Sequence, residues 1–133
     1  MELYKQTEDI SVIGIRVSSF PQGIMEAFDG LMKTLGRDRA YYGVSWMDKN
    51  NNVEYYAMAR ETIPDEGKKY AYERLIIEKG DYETEALYNW QNKTDQIKDI
   101  FHDLMGNNKP DKSLPCIEWY QTDEKMLCMI RAL

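Results

Sequence analysis

A carboxylate inside an apolar, strand-like run is the side chain best suited to chemistry in this 133-residue sequence. Glu118 lies in the run PCIEWY at positions 115–120, and on a strand it would share a face with Cys116 and Tyr120 because side chains alternate. If Glu118 is buried, desolvation raises the pKa of its carboxyl group until a positive charge arrives. A cation about 4 Å away would contribute roughly 4 kcal/mol at an effective dielectric constant near 20, before desolvation costs. The alternative is an edge-strand glutamate in water.

The aromatic content indicates what kind of partner such a carboxylate could hold. The sequence has ten Tyr, three Trp and eight Met, which is much flat and polarizable surface for its length. Tyr120 could add a hydroxyl hydrogen bond or a cation–π face worth about 0.5–2 kcal/mol. With 23 acidic against 17 basic residues the net charge is −6, which suits a cationic guest. The basic residues are not clustered, so direct nucleic-acid binding is not expected.

Two strand-like runs, 41–47 and 53–60, flank five turn-forming residues and predict a β-hairpin. A five-residue loop would pair Met47 with Val53. Tyr55 would then share a face with small residues that can receive a helix, and we assign it to the core. A register error of one residue would exchange the two faces. The opposite face holds a set that we assign to a ligand cleft: Tyr42, Trp46 and Tyr56, with Glu54 beside them.

Two further aromatic residues are expected to line the other wall of that cleft. Tyr82 and Trp90 both precede the second predicted helix. For every aromatic residue assigned to the cleft, ordinary core packing is the competing interpretation.

Hydrophobic periodicity predicts the same order of elements twice, as strand, helix and hairpin. The first half has a strand at 10–17, a helix carrying Ile24, Phe28, Leu31 and Leu35, and the hairpin at 41–60. A polar connection at 61–71 follows. The second half has a strand at 72–78 that resumes after a bulge at Gly80-Asp81, a helix from Thr94 to Gly106, and a hairpin of the runs 116–121 and 125–132.

The repeat predicts one domain over residues 1–133, with pseudo-repeats at about 8–60 and 72–133. Aligning the first strands of the two hairpins sets Val44 beside Glu118 and Trp46 beside Tyr120. The expected fold class is α+β: duplicated strand-helix-strand-strand modules forming an antiparallel sheet with helices on one side. Two such modules would leave a ligand cleft between the halves.

Several classes of protein and site are not expected. No apolar run reaches the roughly 18–20 residues that span a bilayer, and the N-terminus lacks the apolar stretch of a secretion signal, so we expect a cytoplasmic protein. Cys116 and Cys128 are expected to be reduced thiols. With the one histidine, His102, and no CxxC or HExxH motif, neither a metal site nor a cofactor is predicted.

The repeated pattern together with PCIEWY resembles the GyrI-like effector-binding domains, which are drug-binding modules of bacterial AraC-type and MerR-type transcription regulators. The resemblance covers nearly the whole chain and includes ISVIGIRV, YYGVSWMD, VEYYAMARE and YERLIIEKGDY. It implies that Glu118 lies at the base of a pocket and meets lipophilic or aromatic cations, with Tyr120 beside it. Trp46, Tyr42, Tyr56, Tyr82 and Trp90 are the further residues that it places in the pocket.

The resemblance implies a binding protein more than an enzyme. The regulators carry a helix-turn-helix domain ahead of this module, whereas the pattern here begins within the first ten residues. We therefore expect a stand-alone multidrug-type binder, coupled to transcription through a partner regulator or acting as a homodimer. Two alternatives stay open: a small hydrolase of cyclopropane-type compounds that uses Glu118 as a general base, and a gyrase-inhibitory interaction protein.

Overall fold

The computed structural model describes residues 2–18, 23–47, 50, 52–108 and 115–132, and within these ranges the chain forms eight strands and three helices. The strands are β1 (Glu2–Gln6), β2 (Ile10–Val17), β3 (Tyr41–Met47), β4 (Val53–Arg60), β5 (Glu73–Ile77), β6 (Gly80–Tyr88), β7 (Cys116–Tyr120) and β8 (Lys125–Arg131). The helices are α1 (Ile24–Leu35), α2 (Glu66–Lys69) and α3 (Ile97–Asn108), with 3-10 turns at Trp90–Asn92 and Thr94–Gln96 before α3.

All eight strands belong to one antiparallel sheet, in the order β1-β6-β8-β7-β3-β4-β2-β5. The central pair of strands is β3 and β7. Outward from this pair, the strands on one side are β3, β4 and β2, and they correspond in order to β7, β8 and β6 on the other side. The edge strands are exchanged between the halves, because β1 pairs with β6 while β5 pairs with β2. This architecture confirms the predicted α+β class.

The sheet curls into a half-barrel because its edge strands are tied to distant neighbours. β5 ends at Ile77 and β6 begins at Gly80, yet five strands lie between them. A flat sheet would put them about 29 Å apart at roughly 4.8 Å per strand, whereas the two linking residues span at most about 11 Å. The edges therefore approach each other, and the Gln6 amide donates from Nε2 to the carbonyl oxygens of Ile77 at 3.0 Å and of Glu78 at 3.2 Å.

The concave face of the sheet holds a core of its own. Its buried members are Ile10, Val12, Tyr42, Val44, Met58, Ile77, Tyr82, Ile117 and Met129. The three helices lie on the other face, so these side chains are covered by one another across the curl. Alternating residues of the same strands therefore pack on opposite faces, with this core on the concave side and two clusters on the other side, one beneath α1 and one beneath α3.

The helices leave a gap over the middle of the sheet. α1 packs across β4 and β2, and α3 packs across β8 and β6. On α1, Ala27 and Leu31 are buried against the sheet, and Gly36 ends the helix at a φ of 87°, a conformation that glycine adopts at little cost. The central strands β3 and β7 lie between the two helices and form the floor of a groove.

Three sequence predictions about elements need correction. The polar N-terminus forms the edge strand β1, since an edge strand needs no continuous apolar run. The supposed bulge at Gly80 is a link between two strands in different parts of the sheet, and Gly80 turns it with a φ of 142°. α3 continues past Gly106 to Asn108. No helix among the described residues is long and apolar enough to cross a membrane.

Candidate functional site

The groove floor is built by one residue pair at the centre of the sheet. Gly43 of β3 lies directly opposite Glu118 of β7. Direct partners in an antiparallel pair project from the same face. Glu118 therefore points to the helix side of the sheet, into the gap between α1 and α3. Its neighbour across β8 is the fully buried Cys128.

Two tyrosine hydroxyl groups converge on one oxygen of Glu118. The hydroxyls of Tyr55 and Tyr120 each donate to Oε1 at 2.6 Å, and the two hydroxyl oxygens are 3.3 Å apart. Tyr55 reaches the site from β4, in the first half of the chain, and Tyr120 lies two residues after Glu118 on β7. Both hydrogen bonds go to the same oxygen, and among the described residues none is made to Oε2.

The electrostatics of Glu118 are those of a carboxylate without a counter-ion. The residue is half-buried, with protein atoms crowded around its carboxyl group, and burial raises its pKa. The two tyrosine hydrogen bonds act in the opposite direction because they stabilise the charged form. No Lys or Arg among the described residues forms an ion pair with it. Burial also raises the pKa of the Tyr55 and Tyr120 hydroxyls, and the nearby Glu118 charge adds to that rise.

Aromatic rings from both sides of the groove enclose Tyr120. The Phe28 ring of α1 packs edge-on against it at 5.2 Å between centroids, and the Trp90 ring lies 4.9 Å away on the other side. Phe28 also contacts Tyr41 at 6.3 Å. Trp90 is positioned by the 3-10 turn before α3, and its Nε1 donates weakly to the carbonyl oxygen of Thr122 at 3.4 Å. Tyr120, which donates to the carboxylate, thus lies between one ring from α1 and one from the turn before α3.

Gly43 makes this arrangement sterically possible. A Cβ at position 43 would overlap the Tyr55 hydroxyl and lie 2.5 Å from Oε1 of Glu118. The Tyr55 side chain, which is 1% exposed, crosses the space that a side chain at position 43 would fill. The glycine is therefore part of the site although it contributes no functional group.

The predicted site residues divide between the two faces of the sheet. The hairpin register is as predicted, with Met47 opposite Val53. Glu118, Tyr120 and Trp90 come together in the groove. The remaining predicted residues lie on the concave face, away from Glu118: Tyr42, Trp46, Tyr56 and Tyr82. The prediction that Trp46 lines the same cleft as Glu118 is therefore wrong.

The alignment of the two halves contributed to this error. It set Val44 and Glu118 at equivalent positions, which would put them on one face, but Glu118 shares its face with its antiparallel partner Gly43, and Val44 pairs with Ile117 on the opposite face. Because side chains alternate, a shift of one residue exchanges the faces. The concave face does carry aromatic stacks, with Trp46 on Tyr56 at 5.2 Å between centroids. Glu54 lies there too, opposite Trp46, and so cannot serve as a second carboxylate beside Glu118.

Besides Gly43, two residues that contribute side chains to the site were not found from the sequence. Tyr55 was assigned to the core and Phe28 to the apolar stripe of α1. A usable signal existed for Tyr55, because the predicted register put it on the face of Gly43, where small residues leave room for a long side chain. Phe28 carries no such signal.

No group of three or more metal-binding side chains occurs in the described part of the chain. The Cys116 thiol is partly buried, and burial raises its pKa to about 12.

Comparison with known proteins supports the fold. No protein-family model matches the sequence, and no curated protein matches it significantly. An integron cassette protein from the mobile metagenome of Vibrio cholerae is similar over the full length of both chains, with 12% identity and a TM-score of 0.68. SAV2435, solved with tetraphenylphosphonium bound, is 13% identical with a TM-score of 0.64, and the match covers 98% of this chain and 94% of that one.

A third similar structure is a Staphylococcus aureus MU50 protein provisionally assigned to bacterial transcription regulation. It is 15% identical with a TM-score of 0.56, and the match covers 98% of this chain and 97% of the other. At these identities the likeness concerns the fold alone. The curled eight-stranded sheet with helices on one side fits the GyrI-like fold.

Proposed function

We propose that this protein is a GyrI-like small-molecule binder that holds a lipophilic or aromatic cation in the groove, with Glu118 as the counter-charge. The observation that carries the proposal is a half-buried carboxylate that forms no ion pair within the described chain and has one oxygen free of hydrogen bonds. A ligand cation would supply the missing positive charge. The gain is largest where solvent is excluded, because screening is weakest there.

The aromatic surroundings favour a cation that carries apolar groups over a small hydrated ion. Phe28 and Trp90 pack on Tyr120, and Tyr120 donates a hydrogen bond to the carboxylate, so an aromatic cluster lies beside the charge. Rings of this kind attract cations and also bury apolar area. Because Phe28 and Trp90 both pack on Tyr120, a ligand of any size enters by displacing at least one of these rings. Trp90 is the more easily displaced, since it stands on a short 3-10 turn.

The structural neighbours are consistent with this ligand class. Tetraphenylphosphonium, the ligand bound to SAV2435, is a single positive charge surrounded by four phenyl groups. A protein assigned to transcription regulation shares the fold. We therefore propose that ligand binding here is coupled to a regulator, either through a partner protein or through a homodimer. The residues named for the groove are this chain's own and do not depend on those neighbours.

The direct test is calorimetric titration with tetraphenylphosphonium of the wild type, Glu118→Gln and a matched control, Glu54→Gln. Both substitutions remove one negative charge from a half-buried strand position, but Glu54 lies on the concave face, where it pairs with Arg16 at 3.4 Å. We expect Glu118→Gln to lose binding and Glu54→Gln to keep it. An equal loss of affinity in both variants would show that only the net charge of the protein matters, and it would contradict the proposal.

The same samples separate a binder from the hydrolase alternative. Incubation with a cyclopropane-bearing alkylator, followed by mass spectrometry, reports any hydrolysed product. A water-activating carboxylate would give turnover that is lost in Glu118→Gln. We expect no turnover, because Glu54, the second carboxylate that the sequence suggested, lies on the other face of the sheet.

A further inference from the structure

A cavity lies on the concave side of the sheet, on the face opposite to Glu118. Its volume is about 180 Å³, and it is lined by Ile76, Ile77, Glu78, Tyr82, Pro115, Ile117 and Arg131. Ile117 precedes Glu118 on β7 and therefore projects from the opposite face. The cavity occupies the place where the two edges of the curled sheet approach each other, beside the hydrogen bonds from Gln6 to the end of β5.

The floor of this cavity is apolar and fixed. Ile77, Tyr82 and Ile117 are 3%, 3% and 1% exposed, and all three belong to the concave core. The Tyr82 hydroxyl is already used, since it donates to the carbonyl oxygen of Glu78 at 2.6 Å. Ile76, which is 43% exposed, marks the side that opens to solvent. An apolar cavity of roughly 150 Å³ accommodates benzene, so this one has room for a single six-membered ring.

The mouth of the cavity carries one ion pair, and its two partners differ in solvent exposure. Nη1 of Arg131 donates to Oε2 of Glu78 at 2.5 Å. The Glu78 side chain is 66% exposed, whereas that of Arg131 is 32% exposed. The guanidinium lies against Gly80, where a Cβ would come within 2.9 Å of both Nε and Nη2. The Arg131 guanidinium is thus the more buried partner at the cavity, and the Glu78 carboxylate is the more exposed one.

We propose that this cavity binds a small aryl or branched-alkyl carboxylate, with its apolar body on Ile77, Tyr82 and Ile117 and its carboxylate on Arg131. A guanidinium has five N–H donors in a planar fork that matches a carboxylate, and Glu78 engages one nitrogen of it. The ligand carboxylate either accepts hydrogen bonds from the remaining N–H donors of Arg131 or displaces Glu78 from the guanidinium. This site would be independent of the cation groove in both location and charge.

Benzoate is the probe that tests this proposal, and its binding is monitored by two-dimensional NMR of the full chain. A ligand of this size is expected to have a Kd on the order of 1 mM. We expect saturable shifts at the methyl groups of Ile77 and Ile117, and no change when Glu118 is replaced by Gln. Arg131→Gln should weaken binding about tenfold. Glu78→Gln, a change at an exposed side chain with little risk to folding, should tighten binding severalfold because it removes the competing carboxylate.

Benzylamine and toluene, at the same concentrations, are the matched cationic and neutral probes. Weaker shifts with both than with benzoate would support a carboxylate site. Stronger binding of benzylamine, weaker benzoate binding in Glu78→Gln, or benzoate shifts confined to the Glu118 groove would each overturn the proposal. The absence of saturable shifts in both the wild type and a folded Glu78→Gln variant would also overturn it.

Discussion

Replacing Glu118 by Gln is predicted to lower ligand affinity and raise the stability of the free protein. The amide has nearly the shape of the carboxylate and keeps an oxygen that can accept the hydrogen bonds from Tyr55 and Tyr120, each of which is 2.6 Å long in the wild type. The substitution therefore removes charge while leaving packing almost unchanged. Any change in binding or stability can then be assigned to the charge.

The loss of affinity follows from the environment of the carboxylate. Removing one member of a desolvated charge pair costs about 2–5 kcal/mol. Glu118 is half-buried and has only two tyrosine hydroxyls as recorded partners in the described chain, so the lower part of that range applies. About 2–4 kcal/mol corresponds to a roughly 30-fold to 1000-fold weaker Kd for tetraphenylphosphonium.

The gain in stability follows from the raised pKa of Glu118. Its ordinary value is 4.5, and burial raises it in the folded protein. A folded state that binds the proton more tightly than the unfolded state is most stable below pH 4.5, and it loses stability as the pH rises through the folded pKa. Glu118→Gln removes that loss. Each unit of pKa shift is worth about 1.4 kcal/mol, and 1 kcal/mol moves Tm by roughly 3–6 °C at this size.

The assay is thermal unfolding and calorimetric titration of both proteins from acidic to neutral pH. We expect the Tm of Glu118→Gln to exceed that of the wild type at neutral pH and the two to converge below pH 4.5. Wild-type affinity for the cation should fall as Glu118 becomes protonated, while the variant should stay weak throughout. A variant that binds within threefold of wild type, or one that is less stable at neutral pH, would refute the reasoning.

Three further predictions test how the site and the fold are built. Gly43→Ala should cost about 1–3 kcal/mol in urea unfolding and weaken cation binding, because its Cβ overlaps a tyrosine hydroxyl; unchanged binding would dismiss that clash. Trp90→Ala should weaken binding of tetraphenylphosphonium about tenfold by calorimetry, whereas Trp46→Ala on the concave face should stay within twofold. Glu66→Gln breaks a buried ion pair with Arg39, in which the two N···O distances are 2.7 and 3.1 Å. This substitution should lower the unfolding free energy by about 3 kcal/mol. A loss under about 1 kcal/mol would contradict the prediction.

Local patterns in the sequence were sufficient to predict the fold class and the face from which Glu118 and Tyr120 project together. The five-residue loop between two alternating runs determined the register of β3 and β4, and the observed pairing of Met47 with Val53 matches it. The parity of the PCIEWY run correctly placed Glu118 and Tyr120 on one face. Both inferences use residues that are close together in sequence, where the two-residue period of a strand decides the geometry.

Pairings between distant segments could not be predicted in the same way. β1 carries a polar sequence and pairs with a strand that begins more than seventy residues later, at Gly80. β5 and β6 are separated by two residues and yet lie across the sheet from each other. The register of β3 against β7 was needed to say which hairpin face meets Glu118. Sequence self-similarity was too weak to fix it within one residue, and one residue is enough to exchange the faces.

The site depends on an asymmetry at the centre of a nearly symmetric fold. The two halves have the same element order and meet at β3 and β7, where Gly43 and Glu118 are direct partners. If both positions carried long side chains, they would compete for the same space above the floor. Because one half supplies a glycine, the Tyr55 ring of that half can cross the centre and donate to the carboxylate of the other. Neither half alone holds the complete arrangement, because the carboxylate of Glu118 accepts one hydrogen bond from a tyrosine of each half.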